Sequence, residues 1–493
     1  MSDGKAVYTA NIPISPMACF ERGDEGIPRH ALRLGWEMQR LCDPLFRIRQ
    51  RPVRGGKPVE VVIMGWQKLV VRPGFIALVL LGALLVSSSV SAAEQGHRPI
   101  TRQLIQLVEQ DPEVRELLSD SLAAAKAANP DPQTNPAQSL ADYYDFIDSA
   151  SQLIPQEILA NPPSLIRDQI LQSICYFYFL VDQPLAQLED RGLYSNRIQY
   201  FPPFSDWLRA FADSWGDYLD TEASWTQDTY LQFYSDPSFG IQHGWYESPT
   251  NWDTFNRFFS RYLSSPAMRP IADPDDAAVV VAPADSVPQG VWPIDADSRI
   301  EVDGGLRIKL ATFYSIPELL GDDSPYKDAF AGGVLTHTFL NVNDYHRYHF
   351  AVGGIIEDQR LISENVALEV SWDAEAGRYD PIDSTGWQFS QTRGYVIVDT
   401  GEHGLVALIP MGMAQVSSVN FEDGVTVDSE HAKGDMLGTF LFGGSDFVML
   451  FQDKAGFELV APEEGPAGPD GMPTYAHLLM GEKYGLMTGK ATD

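Results

Sequence analysis

Cysteine, basic residues and long apolar runs are all scarce in this 493-residue chain, and each shortage removes a class of explanation. Only Cys19, Cys42 and Cys175 are present. The first two lie in a stretch that reads as leader, which leaves Cys175 alone inside the apolar run 174–180. A lone thiol makes no intramolecular disulfide framework, and it reads as core filler. His-Glu-x-x-His and clustered Cys ligands are missing, so the usual signatures of a catalytic zinc are absent and no metal is expected. Lys and Arg number 35 against 67 Asp and Glu. That deficit lies downstream: residues 1–93 hold 12 basic and 7 acidic residues, and the remainder holds 23 and 60, a balance of −37. Such a body repels nucleic acid and anionic surfaces over a Debye length of ~8–10 Å, so nucleic acid is not an expected partner. There is no internal repeat.

Hydrophobic residues make up 44% and aromatics 11%, which marks a globular chain long enough for more than one domain. The apolar run 75–86 is too short for a confident membrane span. It follows Lys68 and Arg72 and precedes small residues at Ser91, Ala92 and Ala93, the pattern of a secretory signal beginning at Met64. Residues 1–93 are therefore expected to be leader, and the protein is expected to be exported, periplasmic or secreted, with membrane association left open. An uncleaved N-terminal anchor is the other reading of the same run.

Apolar positions recur at helical spacing over 100–127, 140–153, 164–181 and 207–219. Residues 129–137, with Pro130, Pro132 and Pro136, break the pattern. The stripe Tyr176–Phe179 reads as core packing. Past about residue 275 the period shortens. Runs at 277–282, 306–312, 334–340, 394–398, 405–410 and 447–451 are β-branched or apolar and bounded by Gly, Asp and Pro. The fold class expected is α+β: a helical N-terminal domain over 94–250, then a mostly antiparallel β-domain over 251–462, with a short helical turn at 316–320. A Gly/Pro-rich tail over 463–493 is expected to be mobile.

The chemistry concentrates in two places. Gly443-Gly444-Ser445-Asp446 puts a hydroxyl after a glycine whose freedom suits attack on its own backbone carbonyl. Such an attack, followed by elimination and hydrolysis, would convert Ser445 into a pyruvoyl ketone. Asp344-Tyr-His-Arg-Tyr-His349 offers two histidines three apart, and Asp285 sits where a strand meets a turn. Alone, each reads as structural: a hydrogen-bonded histidine, a turn-forming aspartate. A metal site is a further reading of the histidine pair.

Taken in order, the blocks Thr254–Arg261, Arg269-Pro-Ile, Pro283-Ala-Asp285, Phe339–His349, Val416-Ser-Ser418 and Lys433-Gly-Asp with Phe442-Gly-Gly-Ser445 resemble the phosphatidylserine decarboxylase family. Trp215–Asp220 and the stretch 308–320 resemble its branch with an extra N-terminal helical domain, similar to the psilocybin-pathway tryptophan decarboxylase. The resemblance implies scission between Gly444 and Ser445, a pyruvoyl cofactor from Ser445, and a small chain of residues 445–493 that stays with the large one. It implies that Asp285 and His349 activate Ser445. It makes His346 a proton donor in decarboxylation or a contact to the substrate carboxylate. The substrate amine would form a Schiff base, and the α-carboxylate of an amino acid or of phosphatidylserine would leave as CO2. Arg347 is a candidate carboxylate donor. Two residues depart from the family pattern: Asp446, where a small hydroxyl residue is usual, and Ser286, where glycine is usual. An unprocessed, non-catalytic binding or structural module is the reading from a different class.

Overall fold

The computed structural model describes residues 96–155, 166–301, 313–382, 387–414, 418–467 and 473–489. The expected leader over 1–93, the expected strand over 306–312 and the pair Val416-Ser417 lie outside them.

The helix expected over 100–127 is two, Pro99–Gln110 and Pro112–Ala128. Pro112 has no amide hydrogen to continue the ladder. Asp111 serves instead as an N-cap, its carboxylate accepting from the Glu113 and Val114 amides. Leu140–Ala150, Ile166–Phe179 and Phe204–Leu219 follow. A further helix, Gln227–Ser235, goes beyond the periodicity reading; Thr226 caps it through the Thr229 amide. The Tyr176–Phe179 stripe is buried, with Phe177 stacked on Phe211 at 4.9 Å between ring centres, and Cys175 is buried beside it.

The β-half centres on a seven-stranded sheet in which all neighbours are antiparallel. Its order is Glu430–His431, Gly354–Ile362, Arg393–Asp399, Leu405–Met413, Gly444–Phe451, Val334–Leu340 and Val287–Pro293. The last of these is masked in the sequence by Pro288 and Pro293; it sits at the sheet edge, where a missing amide hydrogen is tolerated. One face of the sheet carries Phe447, Met449 and Phe451, packed with Tyr348, Phe440 and Tyr484. The opposite face carries Val448 and Leu450 and is covered by the short helix Ile316–Leu320. The α+β class is thus observed.

Two expectations change. The tail over 463–493, expected to be mobile, instead contributes Lys483–Met487 as the central strand of a three-stranded sheet, between Val279–Val281 and Phe457–Leu459. Gly485 marks close approach there: a Cβ would lie 2.3 Å from the Phe457 ring. Nor does the 250/251 boundary divide the molecule into separate cores. Val366, Leu368, Val370, Tyr379 and Phe442 of the β-half belong to the helical cluster, and the described residues belong to one compact unit. Among the described residues no helix is long and apolar enough to cross a membrane.

Lys433 closes one corner of this fold. Its Nζ donates to the carbonyls of Asp273, Asp276 and Val279 at 2.8, 2.7 and 2.9 Å. Burial holds its amine below the usual lysine range, against the pull of Asp276 and Asp273. Lys433→Met would leave three carbonyls without that donor, and we expect it to cost about 2–4 kcal/mol, read as a lowered urea midpoint.

Candidate active site

Ser445 is the second residue of the Gly444–Phe451 strand, paired to Gly412 on one side and Leu340 on the other. It is 1% exposed, and its Oγ has no hydrogen-bond partner among the described residues. A buried, uncommitted hydroxyl in a central strand is costly unless it has a task. Side chains alternate along a strand, so Ser445 shares the face of Phe447 and Asp446 the face of Val448. The Asp446 carboxylate meets His337 Nε2 at 3.0 Å on that opposite face. It therefore does not face the Ser445 hydroxyl.

Both histidines of the Asp344–His349 segment are buried, on either side of the Arg347–His349 strand's start. His346 Nδ1 donates to the Asp344 carbonyl at 3.0 Å, and a carbonyl can only accept, so Nε2 is a bare acceptor. No described residue binds that Nε2. The ring stacks on Phe259 at 3.8 Å. Burial, aided by the nearby Arg261 cation, holds the imidazole well below its ordinary range and keeps it neutral. His349 follows the same logic. Its Nδ1 donates to the Gly434 carbonyl at 2.9 Å, and its Nε2 accepts from the Tyr345 hydroxyl at 3.3 Å. Burial lowers it to about 4, against the opposing pull of the Gly434 carbonyl and the Asp285 charge. Gly434 has φ +88°, and a Cβ there would lie 2.5 Å from Ile271, so only glycine presents this carbonyl.

Chain connectivity links the two places. His349 pairs with Met436 in the Met436–Thr439 strand, and the Phe440 amide donates to the His346 carbonyl at 2.9 Å. Ser445 comes shortly after, past the Gly443-Gly444 pair. Between them, Phe442 packs on Phe259, the ring that covers His346, and on Trp215 from the helical half.

Asp285 is buried and doubly engaged. Arg269 donates to it through Nε at 2.8 Å and Nη2 at 2.6 Å, and the Met480 amide donates at 2.8 Å. The His349 amide donates to the carbonyl of Pro283, two residues before Asp285, so Asp285 acts on His349 through its field. The group that orients the His349 ring is the Gly434 carbonyl. Ser286 fits where glycine was expected: its Oγ donates to the Ala284 carbonyl and accepts from Thr338 at 2.7 Å. Arg347 gives Nε to the Ser260 carbonyl and Nη1 to Glu422, and its guanidinium lies over the Tyr262 ring.

Sequence reasoning assigns no role to Arg261, Arg269, Phe259, Tyr345 or Met480. All but Met480 stand in the family-like blocks, but a side chain's partner across the fold leaves no mark on local spacing.

Residues 255–485 match the phosphatidylserine decarboxylase family, and that stretch contains Asp285, His346, His349 and Ser445. The chain is 27% identical over 286 residues to the decarboxylase iboD of Amanita muscaria, covering 52% of this chain and 78% of that protein. It is 33% identical over 205 residues to phosphatidylserine decarboxylase proenzyme 2 of Oryza sativa, covering 41% of this chain and 30% of the rice protein. It is 26% identical over 265 residues to the phosphatidylserine decarboxylase proenzyme of Saccharophagus degradans, covering 50% and 85%. The order of the blocks, the α+β fold and these relatives agree: residues 255–485 match the phosphatidylserine decarboxylase family, and this match supports a carboxy-lyase.

Proposed function

We propose that the protein cuts itself between Gly444 and Ser445 and then decarboxylates an α-amino acid with the pyruvoyl group so formed. The observation that carries this reading is the Ser445 hydroxyl, buried and uncommitted, directly after two glycines. Those residues fit the group: the hydroxyl is adjacent to the carbonyl it must attack, and the neutral His349 is a base already deprotonated. In the scission, Ser445 Oγ bonds to the Gly444 carbonyl carbon, and the C–N bond breaks. His349 Nε2 takes the hydroxyl proton and returns it to the departing nitrogen. Loss of the Ser445 Cα proton expels the Gly444 carboxylate, and one water then releases ammonia and leaves the ketone. That ketone supplies Schiff-base and electron-sink chemistry.

The remaining work falls to the chain's own side chains. A substrate ammonium must lose a proton before its nitrogen is nucleophilic. His346 Nε2, bare and unpartnered, is the atom to receive it. The same proton can be returned to the substrate α-carbon once CO2 has gone, so His346 ends neutral and no external acid is needed. The burial of both imidazoles and the Phe259–Phe442 cover exclude water while charge develops.

Whether the α-amino acid is free or is the headgroup of phosphatidylserine, the reacting atoms are the same. The −37 balance of residues 94–493 favours the free amino acid, because anionic lipid would be repelled. Export after a Met64 leader is part of the proposal, as is retention of the small chain. Carbon dioxide release from amino acids but not from phosphatidylserine vesicles is expected; release from vesicles alone would reverse the substrate preference.

Three outcomes test the reading. On a denaturing gel and by intact mass, the wild-type chain should yield a 49-residue fragment, residues 445–493. Ser445→Ala and His349→Ala should each remain one band; a wild-type chain that also stays whole would instead support the non-catalytic binding module. His346→Ala should split normally while decarboxylation falls ~10²–10⁴-fold. Since a base works only when deprotonated and His349 sits at about 4, the scission rate should be flat from pH 8 to pH 5. Below about 4 it should fall roughly tenfold per pH unit, the loss following protonation of the base.

A further inference from the structure

Two buried carboxylates share the site, and each needs its own cation. Asp285 and Asp344 are both buried and close enough to repel each other. Arg269 neutralises Asp285. Among the described residues Asp344 has no arginine on its carboxylate; its Oδ1 meets His477 Nε2 at 2.9 Å, and its Oδ2 accepts from the Asn341 amide at 2.7 Å. The backbone carbonyl of this same Asp344 holds His346 Nδ1 at 3.0 Å and Arg261 Nη2 at 3.0 Å. The segment 477–480 ties the arrangement together. His477 grips Asp344, Leu478 exchanges both backbone hydrogen bonds with Ser286, and Met480 donates to Asp285. This segment lies beyond Ser445, so after scission it belongs to the small chain, while Asp344, Ser286 and Asp285 belong to the large one.

We propose that His477 is a positioning residue for decarboxylation, which acts through Asp344 to fix the tautomer and place of His346. The segment 477–480 is thus the small chain's second contribution to the site, beside the residue at the cut. This inference rests on the decarboxylase reading above. Asp344 also explains why a histidine suits the position. Its burial raises the carboxyl above the ordinary range, while the hydrogen bond to it raises His477 above the ordinary 6.5. The groups that face His477 are Asp344, Asp285 and Glu482, all acidic, and the His477 side chain is 36% exposed, so solvent protons reach it. The imidazolium is therefore present below the raised pKa and lost as pH rises through it. Above that point Asp344 stands beside Asp285 without a cation, and the turn that carries His346 loosens.

The test uses the full chain and its His477→Gln, His477→Lys and Asp344→Asn variants. His477→Gln should still split, and should lose ~10–100-fold in kcat with KM little changed, as expected for a misplaced reacting group. The wild-type alkaline limb of kcat should vanish in this variant. His477→Lys, which keeps the cation, should recover much of kcat and move the limb upward. Asp344→Asn together with His477→Gln should be no worse than the more impaired of the two single variants. An unchanged kcat and pH profile in His477→Gln, in a chain that splits and turns over, would overturn this inference and leave the decarboxylase reading intact. A fall in melting temperature with unaltered kcat per folded molecule would also overturn it, as that is a merely structural role. Titration of the His477 ring by NMR needs no scission: a pKa at or below 6.5 would refute the pairing independently. Absence of the fragment in the wild type would instead sink the decarboxylase reading, and this role with it.

Discussion

The corner that holds His349 depends on one buried ion pair, Asp285 with Arg269. Asp285 is buried, and a carboxylate there is costly unless it is paired and hydrogen-bonded. Two parallel bonds from Arg269 and one from the Met480 amide hold the charge in place. Breaking such a pair is far more costly than its net contribution to stability, because the partner left behind is an uncompensated charge. The pair is therefore better understood as fixing a geometry. It joins the segment before the sheet, the turn at Ala284–Ser286 and the stretch before the last strand, three regions that no local sequence signal connects. From that joint the field of Asp285 reaches His349, while the Gly434 carbonyl sets which of its nitrogens carries the proton.

Burial is the largest influence on both histidines, and for His346 the Arg261 cation adds to it. In water an imidazole at neutral pH is partly protonated and works equally as acid and base. Here both rings lie out of solvent, each with Nδ1–H given to a carbonyl, so each presents Nε2 as an acceptor. One Nε2 meets only the Tyr345 hydroxyl, whose own proton burial retains, and the other meets no described group. The difference between them is consistent with the division of labour proposed above. His349 is tied to the strand that reaches Gly434 and Met436, while His346 lies under Phe259 beside the Arg261 cation. A site with two neutral bases in fixed tautomers can move protons in two separate steps without confusing them.

What the sequence reveals and what it hides divide along one line. Periodicity locates elements whose faces are decided locally, such as Val334–Leu340 and Phe204–Leu219, and block order picks out the candidate site residues. Neither finds what depends on a distant partner. Pro288 argues against a strand until the sheet places it at an edge. Gly485, in a stretch rich in turn residues, argues for mobility, and only the Phe457 ring above it shows that its missing side chain serves close packing. Arg347 stands in the motif like a free donor, yet Glu422 and Ser260, from far along the chain, already occupy it. Asp446 follows Ser445 directly, yet the alternation of side chains along a strand points adjacent residues to opposite faces, so adjacency in sequence is not adjacency in space.

The same strand geometry explains how a backbone can be cut without dismantling the protein. The bond at Gly444–Ser445 lies at the very start of its strand, which thereafter runs between Leu405–Met413 and Val334–Leu340 with ladder bonds on both edges. Phe447, Met449 and Phe451 anchor one face, Val448 and Leu450 the other, and His337 holds Asp446 one residue past the cut. Further along, Lys483–Met487 is held on both sides by strands, and residues 477–480 grip Ser286, Asp344 and Asp285. A fragment of 49 residues could not bury enough surface to fold alone. It does not have to, because its first strand lies between Leu405–Met413 and Val334–Leu340, and residues 477–480 hold Ser286, Asp344 and Asp285. The proposed scission would free only the start of that strand, and these contacts with the rest of the chain would hold the remainder in place.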